Sequence, residues 1–407
     1  MPNSSFKRYF QIDHKILFLF GYFFYFLTPI IVGRTHAFDG YPGMDLFHGF
    51  YKQIPSGQLN AYIIITLSWL PAFYGGHLLF KLLRPYKKEL IKFPASYTTD
   101  KISLVSIALI FVLIAFAYTA RNSFVGDYSS YYDSGARGKI STLLVTFNFL
   151  LLYQLVSKQS ISIVLITGTV ITAILLLAIG GRMYVIQTII IILIYKTSFA
   201  DKKWKFHQIT LVLFAGFIVG STIGLARMKS NINLDKAQYS LFAEPVFTWF
   251  STSTFLIYNK IPRYNFPMNF LTSFVNLFPN SIISLQKYVI TIKGMGYHYL
   301  NPLGADSIWS TIVVNFGSIG SFFFIFLTGF MLNFLRHLAE DRRFWAVYYI
   351  CVCAMLPFQI FRDGFYIINK QLFFNFMLFP AIILLILKLI EFSQKPYKTE
   401  SKEKSIE

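Results

Sequence analysis

Twelve arginines of this chain divide unevenly between the two ends of its apolar segments. Arg34, Arg121, Arg137, Arg182, Arg227, Arg263 and Arg362 fall on one side, and Arg8, Arg84, Arg336, Arg342 and Arg343 on the other. A guanidinium is a rigid planar fork of donors that grips phosphate oxygens in pairs. Arg182, Arg227 and Arg362 each stand at the end of an apolar segment, where they can face one chamber. A pyrophosphate carries enough acceptor oxygens for two or three such forks. Glu244, His298, Asp306 and Asp363 lie on the same side and are the candidates for a general base. Glu244 opens an apolar stretch just before Pro245, and partial burial there would make it a stronger proton acceptor.

The segment 121–139, RNSFVGDYSSYYDSGARGK, adds a second kind of chemistry. Tyr128, Tyr131 and Tyr132 can pack on sugar rings while Asp127 and Asp133 accept from hydroxyls; the same residues also suit an interfacial aromatic belt. With Arg121, Arg137 and Arg263 they extend the expected binding surface. There is no Walker loop, no GxGxxG and no paired His/Asp cluster at ligand spacing, so neither nucleotide, cofactor nor metal is expected.

The elements that must position these residues are membrane helices. The chain has 407 residues, 55% of them hydrophobic and only 14% charged, which no ordinary soluble domain needs. The net charge of +19 is dispersed over short loops, and anionic lipid is a simpler counterpart for it than nucleic acid. Cys351 and Cys353, two apart in one apolar stretch, point to different sides of a helix and form neither a disulfide nor a metal site. Lys7, Arg8 and Lys15 precede a long apolar run with no small-residue cleavage site after it, so the first segment reads as a retained span.

A span needs roughly 17–25 mainly apolar residues. The pattern predicts an all-α polytopic membrane protein with spans at 16–33, 60–83, 102–120, 140–157, 160–180, 183–198, 208–226, 310–335, 344–361 and 372–391. Lysine-rich clusters at 84–101, 199–207 and the tail, and the arginine cluster at 336–343, then all fall inside with the amino terminus, as the positive-inside rule requires. Residues 1–392 form one polytopic domain, 227–309 an outer lid, and 393–407 a flexible cytoplasmic tail. Pro245, Pro262, Pro267, Pro279 and Pro302 break the lid into short pieces. Its apolar stretches 241–258 and 270–292 would raise the count to twelve if both crossed.

Four features together resemble the bacterial Wzy-type oligosaccharide repeat-unit polymerases, the O-antigen polymerase family. There are ten or more spans with both termini inside, and a long outer segment late in the chain. Gly180, Gly181 and Arg182 are similar to the family's arginine turns. In NPLGADSIWSTIVVNFGSIGSFFF, Asn315, Phe316, Gly317 and Gly320 match its glycine-paired span. The family's acidic residue close to the Phe-Gly pair is not reproduced: Thr311 is near it, and Asp306 lies earlier.

The resemblance implies a metal-independent glycosyltransferase of the bacterial inner membrane, active at its periplasmic face. It would polymerise undecaprenyl-pyrophosphate-linked glycans in polysaccharide or lipopolysaccharide biosynthesis, with a chain-length regulator as partner. Arg182, Arg227 and Arg362 would hold the departing pyrophosphate, and Glu244, Asp306 or His298 would be the base, in that order. The 46 phenylalanines suit a lateral groove for the polyprenyl chains and lipid-facing packing alike. An O-antigen ligase with the same donor, and a lipid-linked oligosaccharide flippase or other transporter, are the rival readings. The absence of a strong internal repeat and of mid-span charges disfavours the transporter.

The topology is checked by cysteine labelling of intact cells. Ser129→Cys should react with a membrane-impermeant maleimide and Lys203→Cys should not; labelling at position 203 from outside inverts the assignment.

Overall fold

The computed structural model describes residues 11–83, 99–121, 124, 136–227, 234–277, 283–300 and 305–393; Tyr131, Tyr132 and the tail after Ser393 lie outside them. The described chain is helical, with no strand. In order the helices are α1 (His14–Thr35), α2 (Met44–Gln53), α3 (Ser56–Leu83), α4 (Thr99–Thr119), α5 (Ala136–Val156), α6 (Ile163–Ala178), α7 (Arg182–Phe199) and α8 (Phe206–Arg227). There follow α9 (Leu234–Thr248), α10 (Phe250–Tyr258), α11 (Met268–Ser273), α12 (Ile308–Asp341), α13 (Arg343–Met355), α14 (Gln359–Arg362) and α15 (Phe365–Leu389).

Seven of them, α1, α3, α4, α5, α7, α12 and α15, are long and apolar enough to cross a membrane. The other three expected spans coincide with shorter apolar helices: α6, the Phe206–Gly216 part of α8, and α13. Neither 241–258 nor 270–292 forms a helix of spanning length among the described residues. The first is α9 and α10 meeting at Trp249, and the second holds the end of α11 and single 3-10 turns.

Two contacts set the frame. The α3–α12 pair is the most extensive in the protein. At Gly76 an added Cβ would lie 1.9 Å from the Phe326 carbonyl oxygen, and at Gly329 2.1 Å from that of Phe73. The two backbones therefore touch, which only glycine permits and which membrane helices favour where lipid removes any hydrophobic drive to associate. Beside them α13 is buried over every residue from Ala346 to Met355, so a helix apolar on all sides serves as the central rod.

Polar contacts sort the loops into two ends. At one, Asp13 caps α1 and pairs with Arg336 at 2.8 Å, and Lys158 pairs with Asp201 at 2.7 Å. These are residues that the charge pattern assigns to the inner side. The residues it assigns to the outer side meet one another at the other end.

There the Gly180–Gly181 turn ends α6. Gly180 is left-handed (φ 85°), its N–H bonds the Leu177 carbonyl, and the Gly181 N–H bonds that of Leu176. This is the Schellman arrangement, and it sets Arg182 on the first turn of α7. α12 breaks at Gly317 (φ 73°, ψ 177°). The 262–264 loop wedges into the break, so the Pro262 and Arg263 carbonyls accept from the N–H groups of Ser318 and Ile319. A Cβ at Gly317 would lie 2.4 Å from the Arg263 oxygen. Asn315, two residues earlier, accepts from the Phe270 N–H at 2.8 Å and so holds α11 to the same helix.

Gly76→Leu and Gly329→Leu should each cost at least about 1–3 kcal/mol through overpacking. Gly49→Ala, at a helical position with open space beyond it, should be neutral or stabilising. Thermal unfolding in detergent reads the difference, and equal Tm values for all three would remove the backbone-contact account.

Candidate functional site

The site grows from the way α13 ends. Pro357 stops the helix, the chain makes the single turn of α14, and Arg362 is carried to its last position. The guanidinium is mostly enclosed, with 24% of the side chain exposed, and Nη1 lies 3.3 Å from Oε1 of Glu244 on α9. That same oxygen accepts from the Tyr25 hydroxyl at 2.9 Å. Tyr25 sits in the π-helical segment Phe23–Leu27 of α1, and its ring stacks on Phe361. Gly21 makes room for this ring: a Cβ there would meet it at 2.5 Å.

Burial works against the Arg362 charge, but Glu244 and Asp363 outweigh it and hold the guanidinium above its ordinary pKa. Asp363 goes the other way. Burial raises its carboxyl above the usual range, and the nearby Arg362 and Arg137 offset this only in part. Tyr184, on the first turn of α7, is a lesser contributor to the same raising of Arg362. Nε of Arg362 is buried and has no hydrogen-bond partner among the described residues, leaving one donor of the fork unused.

Asp306 approaches from the other flank, just ahead of α12. Its Oδ2 would lie 3.0 Å from a Cβ placed on Gly364, so glycine after Asp363 is what lets the two strands of chain close together. Oδ1 accepts from the Tyr299 hydroxyl at 2.9 Å. Tyr299 is buried; burial and the neighbouring Asp306 push its phenol well above the ordinary value, so it stays a donor.

Asp306 and Tyr299 belong to the wall of a cavity of about 480 Å³. Asn269, Gln286, Lys293 and Tyr366 add polar groups, and Phe365 an apolar face. Gln286 donates to the Tyr366 hydroxyl across it. A few convergent polar groups on an otherwise apolar concavity are what a polyhydroxylated ligand requires.

The structure thus brings Glu244, Arg362, Asp363, Arg137 and Asp306 together from four separate stretches of chain. Arg182 opens α7 at the same end, next to Tyr184. Other expected residues do other things. His298 has an exposed ring 6.0 Å from Tyr258, and its backbone is held by Asn259. Arg263 is exposed and works through its carbonyl at the Gly317 break. Arg121 lies 4.4 Å over the Tyr118 ring at the end of α4. Arg227 ends α8 with a side chain outside what is described, and Tyr131 and Tyr132 are outside the described residues altogether.

Tyr25, Tyr299, Lys293 and Gln286 carried no local signal in the sequence. One arrangement was not foreseen from the spacing. A His/Asp cluster does form, because left-handed Gly40 and Gly43 fold the loop after α1 back on itself and bring His36, Asp39 and His48 together. Comparison with known proteins finds no matching family model, no matching curated protein and no matching solved structure.

A double-variant cycle tests the central pair. Glu244→Gln and Arg362→Met should each destabilise by about 1.5–3 kcal/mol. The double variant should fall short of their sum by about 1 kcal/mol or more. Strict additivity would mean that the two side chains act independently.

Proposed function

We propose that the protein is a polyprenyl-pyrophosphate-dependent glycosyltransferase that joins lipid-linked oligosaccharide units at the outer face of a bacterial inner membrane. In this reading α6, α8 and α13 cross with the seven longer helices, giving ten spans with both termini inside. The segment 227–309 then closes the outer end. The convergence of outer-assigned residues on Arg362, and of inner-assigned residues on Asp13, supports that arrangement.

The observation that carries the reading is an enclosed arginine with a spare donor, two residues from Gly364 at the wall of a largely apolar cavity that contains a carboxylate. In the proposed reaction the acceptor hydroxyl attacks the anomeric carbon of the donor glycan, the glycosidic C–O bond to pyrophosphate breaks, and the polyprenyl pyrophosphate leaves. Negative charge grows on the leaving oxygens, and preorganised guanidinium forks stabilise it there. Arg362 and Arg182 are assigned that role, with Arg137 beside them. The first-turn N–H groups of α7 add a favourable dipole for an anion.

Glu244 is already engaged by Arg362 and Tyr25, so it is assigned as the counter-ion that aims the fork. Asp306 faces the cavity, and with Tyr299 orienting one oxygen its other oxygen is placed to take the acceptor proton. Gln286, Asn269 and Lys293 are assigned to sugar hydroxyls.

Arg182→Ala and Arg362→Ala should each lower polymer formation by about a hundredfold or more, the cost of losing one preorganised donor to a developing oxyanion. Arg362→Lys, which keeps the charge without the fork, should fall between them and the parent. The readout is the ladder of glycan lengths on a gel with protein level confirmed: long chains vanish while single-unit material remains. Unchanged ladders in both alanine variants would remove the assignment. Purified protein given lipid-linked units in detergent should make polymer without any gradient; absence of product under every condition favours transport instead.

A further inference from the structure

The loop between α1 and α2, with His36 and Asp39, and the helix α2 that follows it, with His48, hold three potential ligands that the outer-end chemistry does not use. His48 Nε2 lies 2.9 Å from Asp39 Oδ1, and His36 Nδ1 lies 3.8 Å from Asp39 Oδ2. Ligand atoms of all three residues fall within 4.8 Å of one another. Two ligands on one zinc ion, each at roughly 2.0–2.2 Å, stand about 3–3.5 Å apart, so small side-chain adjustments close the set.

The set is mixed in exposure. The His48 side chain is 7% exposed, whereas His36 and Asp39 are open at 46% and 60%. His48 Nδ1 is buried and has no hydrogen-bond partner among the described residues. The imidazole is thus anchored by packing, with its other nitrogen turned to Asp39. Two neutral imidazoles and one carboxylate, with a fourth position open to water, are the donor set that zinc prefers over magnesium or calcium.

The loop is held in an unusual shape. His36 and Phe38 have φ of 52° and 63°, left-handed values that side chains other than glycine seldom adopt. It also packs on α9. Tyr41 stacks on Tyr239 at 4.7 Å, Phe38 stacks on Phe242 at 6.0 Å, and the Tyr239 hydroxyl bonds the Pro42 carbonyl. A Cβ at Gly43 would meet Phe247 at 2.8 Å. Whatever fixes this loop therefore fixes the helix that carries Glu244.

We propose that His36, Asp39 and His48 bind a divalent transition metal of the zinc class, which clasps the α1–α2 loop in its left-handed form and so fastens α9. The site stands on its own residues and does not depend on the glycosyltransferase reading.

The test uses the full-length protein in detergent, stripped with a chelator, desalted, and with any affinity tag removed. Titration with Co²⁺ should give one equivalent bound per chain with visible d–d absorption, displaced by Zn²⁺, and Zn²⁺ should raise the Tm. His36→Ala and Asp39→Asn, both at exposed positions, should keep the elution profile of the parent. Each should weaken Co²⁺ binding by at least about tenfold, and His48→Gln should do the same. No stoichiometric binding at micromolar metal, or binding undiminished in these variants, overturns the proposal.

Discussion

A guanidinium three-quarters enclosed by protein has to be balanced where it stands, because an unpaired charge taken out of water is one of the costliest things a fold can contain. Arg362 is in that position, and one end of the helical bundle is arranged around it. Glu244 answers it from α9, Tyr25 of α1 completes the carboxylate's hydrogen bonding, and Asp363 adds a second acid whose own charge is held back by burial. One ionic contact thereby joins the first span, the late outer segment and the turn that follows the central rod. No pair of those elements is adjacent in sequence.

The close contact of α3 with α12 gives this cluster a rigid base. Backbones that touch at Gly76 and Gly329 leave no slack for one helix to slide on the other. Both ends of α12 are then committed. Arg336 near its inner end is tied to the cap of α1, while at its outer end Asn315 and Gly317 receive α11 and the 262–264 loop. The cavity beside Asp306 is walled mainly by the 286–299 segment, Asp306 and Gly364, with Asn269 of α11, Thr311 of α12 and Phe365 and Tyr366 of α15 completing it, so its shape follows from loop conformation seated on helices.

Much of the frame was legible in the sequence. Lysine and arginine bias sorted the loops into two sets, and among the described residues the ion pairs at Asp13 and at Arg362 each join members of one set. Gly180–Gly181 was readable as a turn, since the Schellman cap is local. Glu244, Asp306 and Arg362 could be nominated by type and position. Their partners could not: Tyr25 lies 219 residues from Glu244, and nothing short-range distinguishes it from the other 25 tyrosines. The His36–Asp39–His48 cluster was missed for a similar reason: His48 lies nine residues beyond Asp39, a separation with no local meaning, and it reaches Asp39 only where left-handed Gly40 and Gly43 turn the chain. Gly317 was noticed as part of a motif, but its reason, a foreign loop inserted into the helix, is tertiary.

That insertion bears on how the outer segment can move. Pro262 and Arg263 supply acceptors to amides of α12 that the helix itself leaves open, so the loop completes the secondary structure of its neighbour. Lifting it would strand two amide groups at once. The segment is therefore pinned partway along its length, as it is on one side at Glu244 and on the other at Phe270. Anything that enters the cavity beside Asp306 must therefore do so without displacing the 262–264 loop.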